Sequence, residues 1–361
     1  MNRKEQKTFK KLCAVMEITE TDDCMEYATP EVLGYLFYNR MAGIAYQTLK
    51  NNNLMGRVNR EFRNSLTGAY EINCEKNISF FASIKYLSKL LENCDFNYAM
   101  LKGAYLCRYY PEGCRTSNDI DLLVEPKDVT KIGEILSNAG FKQGNIRNGT
   151  FIPATRKEII ESKMLRGETV PYIKEILLPR MKYLEVDINF SLDYKNGSRE
   201  ILKDILSHTV IENVKGLPVR TLEKCDFFIH LCNHLYKEAT TLPWVEMRRD
   251  MSLYKYYDIY LLLGGFDNKQ IDEIFNRAKN LDMEKICAFT IIQTAKILSS
   301  NNNYALKSSE KVLASDRDFL HKVISPQNKK ELIYTEKSIE KRFFNNNRRG
   351  LLREVDHSEK A

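Results

Sequence analysis

The sequence predicts an α+β protein in which a strand-bearing core lies between helical segments. Three observations carry that expectation. Apolar residues recur at helical spacing before about residue 95 and again between Thr221 and about Ser300. Two segments between those stretches, 119–124 and 183–190, alternate with a period of two, as a strand with one apolar face does. The first of them also carries Asp119 and Asp121, two residues apart and therefore on one face of a strand, with Ile120 and Leu122 on the other.

The N-terminal region, 1–95, reads as helical. Val32, Leu33, Leu36 and Phe37 share a helix face behind Pro30, a start signal, and a second helix is expected over 77–91. The core is expected over 96–215. A strand at 96–101 leads into a Lys102-Gly103 turn, a short helix at 104–110, a loop at 111–113 and the strand 119–124. Asp128 then reads as the N-cap of a helix with Val129, Ile132, Ile135 and Leu136 on one face, closed by Gly140. Residues 145–180 mix glycine, proline and charge with little periodicity, and read as an insertion that forms part of a substrate wall.

The strand 183–190 follows, with Leu184, Val186, Ile188 and Phe190 on one face and Tyr183, Glu185, Asp187 and Asn189 on the other. A helical C-terminal domain is expected over 216–300, with helices at 222–238, 246–263, 270–281 and 283–299 and a break at Gly264-Gly265. Residues 301–361 read as a polar, basic extension. No internal repeat of fixed period is present.

The bulk numbers bound the class. At 361 residues the chain is long enough for two domains, and 43% hydrophobic content supports a sizeable core. No apolar run reaches 18 residues and no signal-type apolar segment follows the basic N-terminus, so the expected location is cytoplasmic, with no membrane partner. Nine scattered cysteines without a CxxC pair fit reduced thiols. The net charge of +7 is mild, and 337–353 holds six basic residues against Glu340. That run reads as a solvated end, with nucleic acid or an anionic surface as the alternative.

Chemistry points to the acids. Two neighbouring carboxylates repel each other, and a divalent cation between them relieves the repulsion; oxygen ligands of this kind suit Mg²⁺ or Mn²⁺. Asp187, on the polar face of a later strand, completes a set of three, with Glu185 as the fallback on that face. Such a set cradles two ions roughly 3.5–4 Å apart in phosphoryl transfer. The alternative is a strand edge with solvated acids. Gly103 lets backbone N–H groups approach a phosphate, and the helix start after it attracts anions. Lys102 and Arg115 read as triphosphate ligands or as ion-pair partners of the site acids. His230 and His234 share a helix face, but a zinc site lacks further ligands, so packing or a hydrogen bond to Asp258 is favoured. The aromatic stretch 254–258 reads as core, with base stacking as the alternative.

The order strand, glycine turn, short helix, Asp-x-Asp strand and later lone aspartate resembles the polymerase-β-type nucleotidyltransferase superfamily. More narrowly, Leu101-Lys-Gly103, Arg115-x-x-x-Asp-Ile-Asp-Leu-Leu-Val124, Gly140-Phe141, Val186-Asp-Ile188 and His230-x-x-x-His234 resemble a family of uncharacterised bacterial nucleotidyltransferases, from about Tyr35 to Leu263. The resemblance implies a polymerase-β-like nucleotidyltransferase core with a small mixed sheet, flanked by N-terminal helices and a helical C-terminal domain. It implies that Asp119, Asp121 and Asp187 are the metal ligands and that Gly103 belongs to the phosphate loop. His234, Lys237 and Asp258 are left open as substrate-side residues.

Two departures stand out. The superfamily's Gly-Ser pair is Gly103-Ala104 here, with Ser117 as a substitute, and Asn189 stands where the narrower family often has histidine. The activity implied is transfer of a nucleoside monophosphate from an NTP to an acceptor hydroxyl, on a small molecule or a protein, with release of pyrophosphate. An RNA-end or toxin-like transferase is the second reading. A non-catalytic nucleotide-binding or interaction protein is the third.

Overall fold

The computed structural model describes residues 1–14, 23–192, 199–326 and 328–355. These residues divide by contact into two compact units, one of residues 67–227 and the other joining 1–66 to 228–361.

The unit of residues 67–227 is built on a six-stranded mixed sheet. Its strands are β1 (Tyr98–Met100), β2 (Asp119–Val124), β3 (Lys142–Arg147), β4 (Thr150–Pro153), β5 (Tyr172–Leu178) and β6 (Met181–Asn189), in the order β1-β2-β6-β5-β3-β4. β2 and β6 pair in parallel while their other neighbours are antiparallel, so residues 125–180 form the crossover that a parallel pair requires. Ile120, Leu122, Leu184, Val186 and Ile188 are fully buried, which is the apolar face the alternation predicts. A hairpin of β7 (Thr209–Val214) and β8 (Leu217–Leu222) adjoins, and Thr221 Oγ1 donates to the Met100 carbonyl at 2.7 Å.

Two local expectations change here. The stretch 145–180 is no appendage: β5 lies inside the sheet between β6 and β3, and the helix Arg156–Arg166 sits in the same crossover. The β3–β4 turn is Asn148-Gly149 with φ of +50° and +73°, the left-handed pair that an Asn-Gly hairpin adopts. β3 is polar at most positions and β5 does not alternate cleanly, so a periodicity test passes over both. Asp128 makes no side-chain capping bond, because its own backbone is already helical in φ and ψ. Gly140, at φ +89°, does close that helix.

The unit of residues 1–66 and 228–361 is mainly helical. Pro30 begins the helix Pro30–Tyr38, with Thr29 accepting from the Val32 N–H as N-cap. The helices Leu253–Gly264, Asn268–Asn280 and Glu284–Leu298 form its buried centre, and the Gly264-Gly265 break falls where expected. Residues 246–252 depart from expectation, since helix is confined to Leu242–Glu246 and then resumes at Leu253. The described residues of the segment beyond Asn301 are folded as well. It supplies the helix Asn303–Val312 and a three-stranded antiparallel sheet of β9 (Lys322–Ile324), β10 (Glu331–Tyr334) and β11 (Leu352–Glu354).

The basic run 337–353 is not a purely solvated end, because Arg342 and Arg348 are buried. Arg342 lies 4.3 Å over the Tyr334 ring, and Arg348 Nη1 donates to Asp250 Oδ1 at 2.6 Å. Among the described residues eight cysteines are free, and no helix is long and apolar enough to cross a membrane.

Candidate active site

The site follows from the β2/β6 register. Parallel pairing sets Asp121 opposite Asp187 and Asp119 opposite Glu185, with Ile120 opposite Val186 between them. Because both strands alternate, four carboxylates fall on one face while the intervening apolar residues fill the core. Asp121 is buried; Asp119, Glu185 and Asp187 are partly exposed.

Lys102 is the near counter-charge, its Nζ 2.7 Å from Asp121 Oδ1. Its backbone carries the strain of the turn, with φ +46°, a region that costs a residue with a Cβ. In this turn Lys102, not Gly103, holds the left-handed position. Gly103 opens the single-turn helix Gly103–Leu106, where a Cβ would stand 3.0 Å from the Ser117 Cβ. Glycine is required there for close approach of two chain segments. A four-residue helix also adds little dipole for anion binding.

Ser117 has a different partner from the one expected of a phosphate ligand, since its hydroxyl donates to Asp119 Oδ1. Arg115 Nη1 donates to the Thr116 carbonyl at 2.8 Å, and the Arg115 carbonyl accepts from Asn77. His234, Lys237 and Asp258 belong to the other unit, where His234 Nε2 lies 3.4 Å from Glu238 Oε1.

The electrostatics separate the acids. Burial pushes the Asp119 carboxyl up, but the Ser117 hydroxyl and the charges of Lys102 and Arg115 hold it below the ordinary value. Asp187 is pushed well above it, first by burial, then by the negative charges of Asp121 and Asp119; Lys102 pulls the other way and Glu168 adds to the push. Glu185 is also raised, by burial and by Asp119. The register thus gathers four carboxylates beside the Lys102 ammonium.

That gathering is the test of fit for a divalent cation. The donors are hard oxygens, and an ammonium already sits on Asp121, so the site is one that attracts positive charge. Among the described residues no three His, Cys, Asp or Glu side chains are gathered into a ready metal cluster. Asp119 is turned to Ser117 and Asp121 to Lys102, so an ion would take the place of those partners. The donor chemistry fits, and Asp119, Asp121 and Asp187 are residues that could hold such an ion.

Sequence reasoning missed Glu168 and Thr169. The Thr169 N–H donates to the Ile188 carbonyl and the Phe190 N–H donates to the Gly167 carbonyl, which brings residues 167–169 to the end of β6 beside Asp187. Gly167 at φ +67° was the one available signal, as the C-cap of the helix Arg156–Arg166.

The chain belongs to the uncharacterised nucleotidyltransferase family, which matches it over residues 28–299. No curated protein matches it. Among solved structures it is similar to an antigenic nucleotidyltransferase-like protein from Paracoccidioides brasiliensis, at 14% identity and a TM-score of 0.34, over 55% of this chain and 85% of that one.

Proposed function

We propose that the protein transfers a nucleoside monophosphate from an NTP to a hydroxyl of an acceptor, with Mg²⁺ or Mn²⁺ held by Asp119, Asp121 and Asp187 in a polymerase-β-like core. The observation that carries this reading is the in-register Asp121/Asp187 pair beside Asp119, with Lys102 as its close counter-charge. Family membership supports nucleotidyl transfer in general.

The chemistry is a displacement at the α-phosphorus. The acceptor oxygen bonds to that phosphorus, the bond to the bridging oxygen of the β-phosphate breaks, pyrophosphate leaves with the electron pair, and the hydroxyl proton passes to solvent. Divalent ions supply neutralisation of the triphosphate and of the charge that develops on the leaving group. The chain's own part is positioning and charge. Asp119 and Asp121 hold the ion on a rigid strand, and Ser117 fixes the Asp119 side chain. Lys102 exchanges Asp121 for a phosphate oxygen, aided by Arg115, and Gly103 lets the segment carrying Ser117 pack against the turn. Asp187 orients the acceptor hydroxyl.

The test is transfer of label from each NTP, with Mg²⁺ or Mn²⁺, to a lysate fractionated into metabolites, protein and RNA. Label is expected on metabolites or protein, and label on RNA would favour the RNA-end reading. The Asp119→Asn/Asp121→Asn variant is expected to lose about three orders of magnitude in rate, the equivalent of several kcal/mol of charge stabilisation. Transfer at the wild-type rate in that variant would remove the site. Tight NTP binding with no transfer would favour a non-catalytic protein.

A further inference from the structure

In the mainly helical unit, the helix Arg3–Leu12 and its C-cap Cys13 meet the helices Leu253–Gly264, Glu284–Leu298 and Ile339–Phe343 around a cavity of about 190 Å³. Phe9, Cys13, Leu253, Ile297 and Phe343 wall it, and all five are buried. Burial also pushes the Cys13 thiol up, so it stays protonated and behaves as a small apolar group. Protein interiors hold few voids larger than a water molecule, and walls of this kind give water few hydrogen-bond partners. An apolar cavity of about 150 Å³ is enough to take benzene. This one therefore has room for an apolar group of about eight carbons.

A second observation says what such a group would carry. Lys10, Lys11, Glu340 and Phe344 line both this cavity and an adjoining cleft of about 1240 Å³. Among the described residues lining the cleft, the five basic residues of the helix Arg3–Leu12 and Lys341 stand against one acid, Glu340. Glu340 is already met by Lys10 at 3.1 Å, and Lys341 lies 3.5 Å from Glu336. Lys4 donates to a neutral group, the Tyr27 hydroxyl. Part of this charge works against the helix itself. Arg3 and Lys4 sit in its first turn, where the dipole disfavours cations. Arg3 with Lys7, and Lys7 with Lys11, are like charges four residues apart, a destabilising spacing.

We infer that the cavity and the basic cleft together bind a single-chain anionic amphiphile, with its tail among Phe9, Leu253 and Phe343 and its carboxylate or phosphate head at Lys10 and Lys11. The two halves of the site supply different parts of the recognition. Burying the tail releases it from water, and each methylene so buried tightens binding about fourfold. Ammonium groups hold an anionic head by charge-assisted hydrogen bonds, and the field of the cleft draws anions toward it. The volume admits one short chain and excludes a two-tailed lipid. This site stands apart from nucleotidyl transfer and does not depend on it.

Calorimetry on the full-length protein with the linear carboxylates from butanoate to dodecanoate, each below its micelle-forming concentration, tests the tail. Affinity is expected to rise about fourfold per added methylene as far as octanoate and then to level off. Octyl phosphate, 1-octanol, octylammonium and inorganic phosphate test the head. Octanoate and octyl phosphate are each expected to bind one per chain, at least about tenfold more tightly than 1-octanol, and octylammonium more weakly still. The tighter of the two anions identifies the head group, and saturable binding of either supports the site.

Leu298→Trp fills the cavity from a half-buried position and is expected to flatten the chain-length series. Lys10→Gln/Lys11→Gln changes only charge at half-exposed positions, and is expected to weaken octanoate about tenfold while leaving 1-octanol unchanged. A general loss of packing would weaken both. The site is overturned by affinity that climbs evenly through dodecanoate, or by octylammonium or inorganic phosphate binding as tightly as the octyl anions. An unchanged octanoate affinity in the double lysine variant, or no saturable binding of either anion, overturns it as well.

Discussion

Two of the places where the described residues bury carboxylates are built in opposite ways. Asp250, in the unit of residues 1–66 and 228–361, is matched on both oxygens: Arg348 Nη1 lies 2.6 Å from Oδ1 and the Tyr334 hydroxyl 3.4 Å from Oδ2. Arg348 spends its other donors on the carbonyls of Arg342 and Phe343, at 3.2 and 3.0 Å. Even so, burial outweighs the arginine's attraction and holds the Asp250 carboxyl above its ordinary value. On the β2/β6 face, Asp119, Asp121, Glu185 and Asp187 crowd together with Lys102 as the contacting cation. A buried charge kept for architecture is satisfied by its neighbours, whereas this face leaves negative charge for something else to neutralise.

The contrast breaks most visibly at Arg348. Arg348→Met leaves Asp250 buried without its guanidinium and is expected to cost about 3–5 kcal/mol in urea unfolding; adding Asp250→Leu should return most of it. A loss below about 1 kcal/mol for the single variant would remove the architectural reading of the pair.

Asp187 should respond with the opposite sign. Its folded-state pKa is raised, first by burial and then by Asp121 and Asp119, so the folded protein binds its proton more tightly than the unfolded chain. Stability from this group is full below the unfolded value and is lost as pH rises through the folded one. Asp187→Asn is therefore expected to stabilise the metal-free protein at neutral pH by on the order of 1–4 kcal/mol, seen as a raised Tm, the span for unit charges a few ångströms apart between water and an effective dielectric of ~20. The same variant should flatten the decline of Tm above about pH 4. A lower Tm would mean that the acids are matched in the fold as Asp250 is.

The smallest effect concerns a cation. Burial, then the charges of Arg342, Lys337 and Lys296, bring His321 down to about 4, with Asp318 opposing. With the folded pKa below the unfolded value of 6.5, stability is present above pH 6.5 and lost as pH falls toward about 4. His321→Gln should flatten the urea midpoint over that window, and an unchanged slope would assign the acid loss to other groups.

Much of this was legible in the chain because it depends on local periodicity. A period of two fixes which side of a strand each residue takes, so Asp119, Asp121, Glu185 and Asp187 were assigned to their faces, and Ile120, Val186 and Ile188 to the core, without knowing the neighbours. Helix starts at Pro30 and stops at Gly140 follow from backbone chemistry carried by single residues. Pairing is different. That β6 lies parallel to β2 with Asp187 opposite Asp121, and that β5 from the supposed insertion enters the same sheet, depends on contacts made across dozens of residues. Local pattern holds no record of register between strands.

The same limit explains the charges. The sequence counts a lysine, a serine and a run of arginines alike as polar, but their surroundings decide their task. Lys102 reaches Asp121 only because the turn takes a left-handed step at Lys102 itself. Ser117 meets Asp119 rather than open solvent. Arg342 and Arg348 are taken inside by β10 and the Asp250 loop, where the basic run alone suggested a solvated end. Desolvation and the distance to the nearest opposite charge set what an ionisable group does, and both belong to the folded chain.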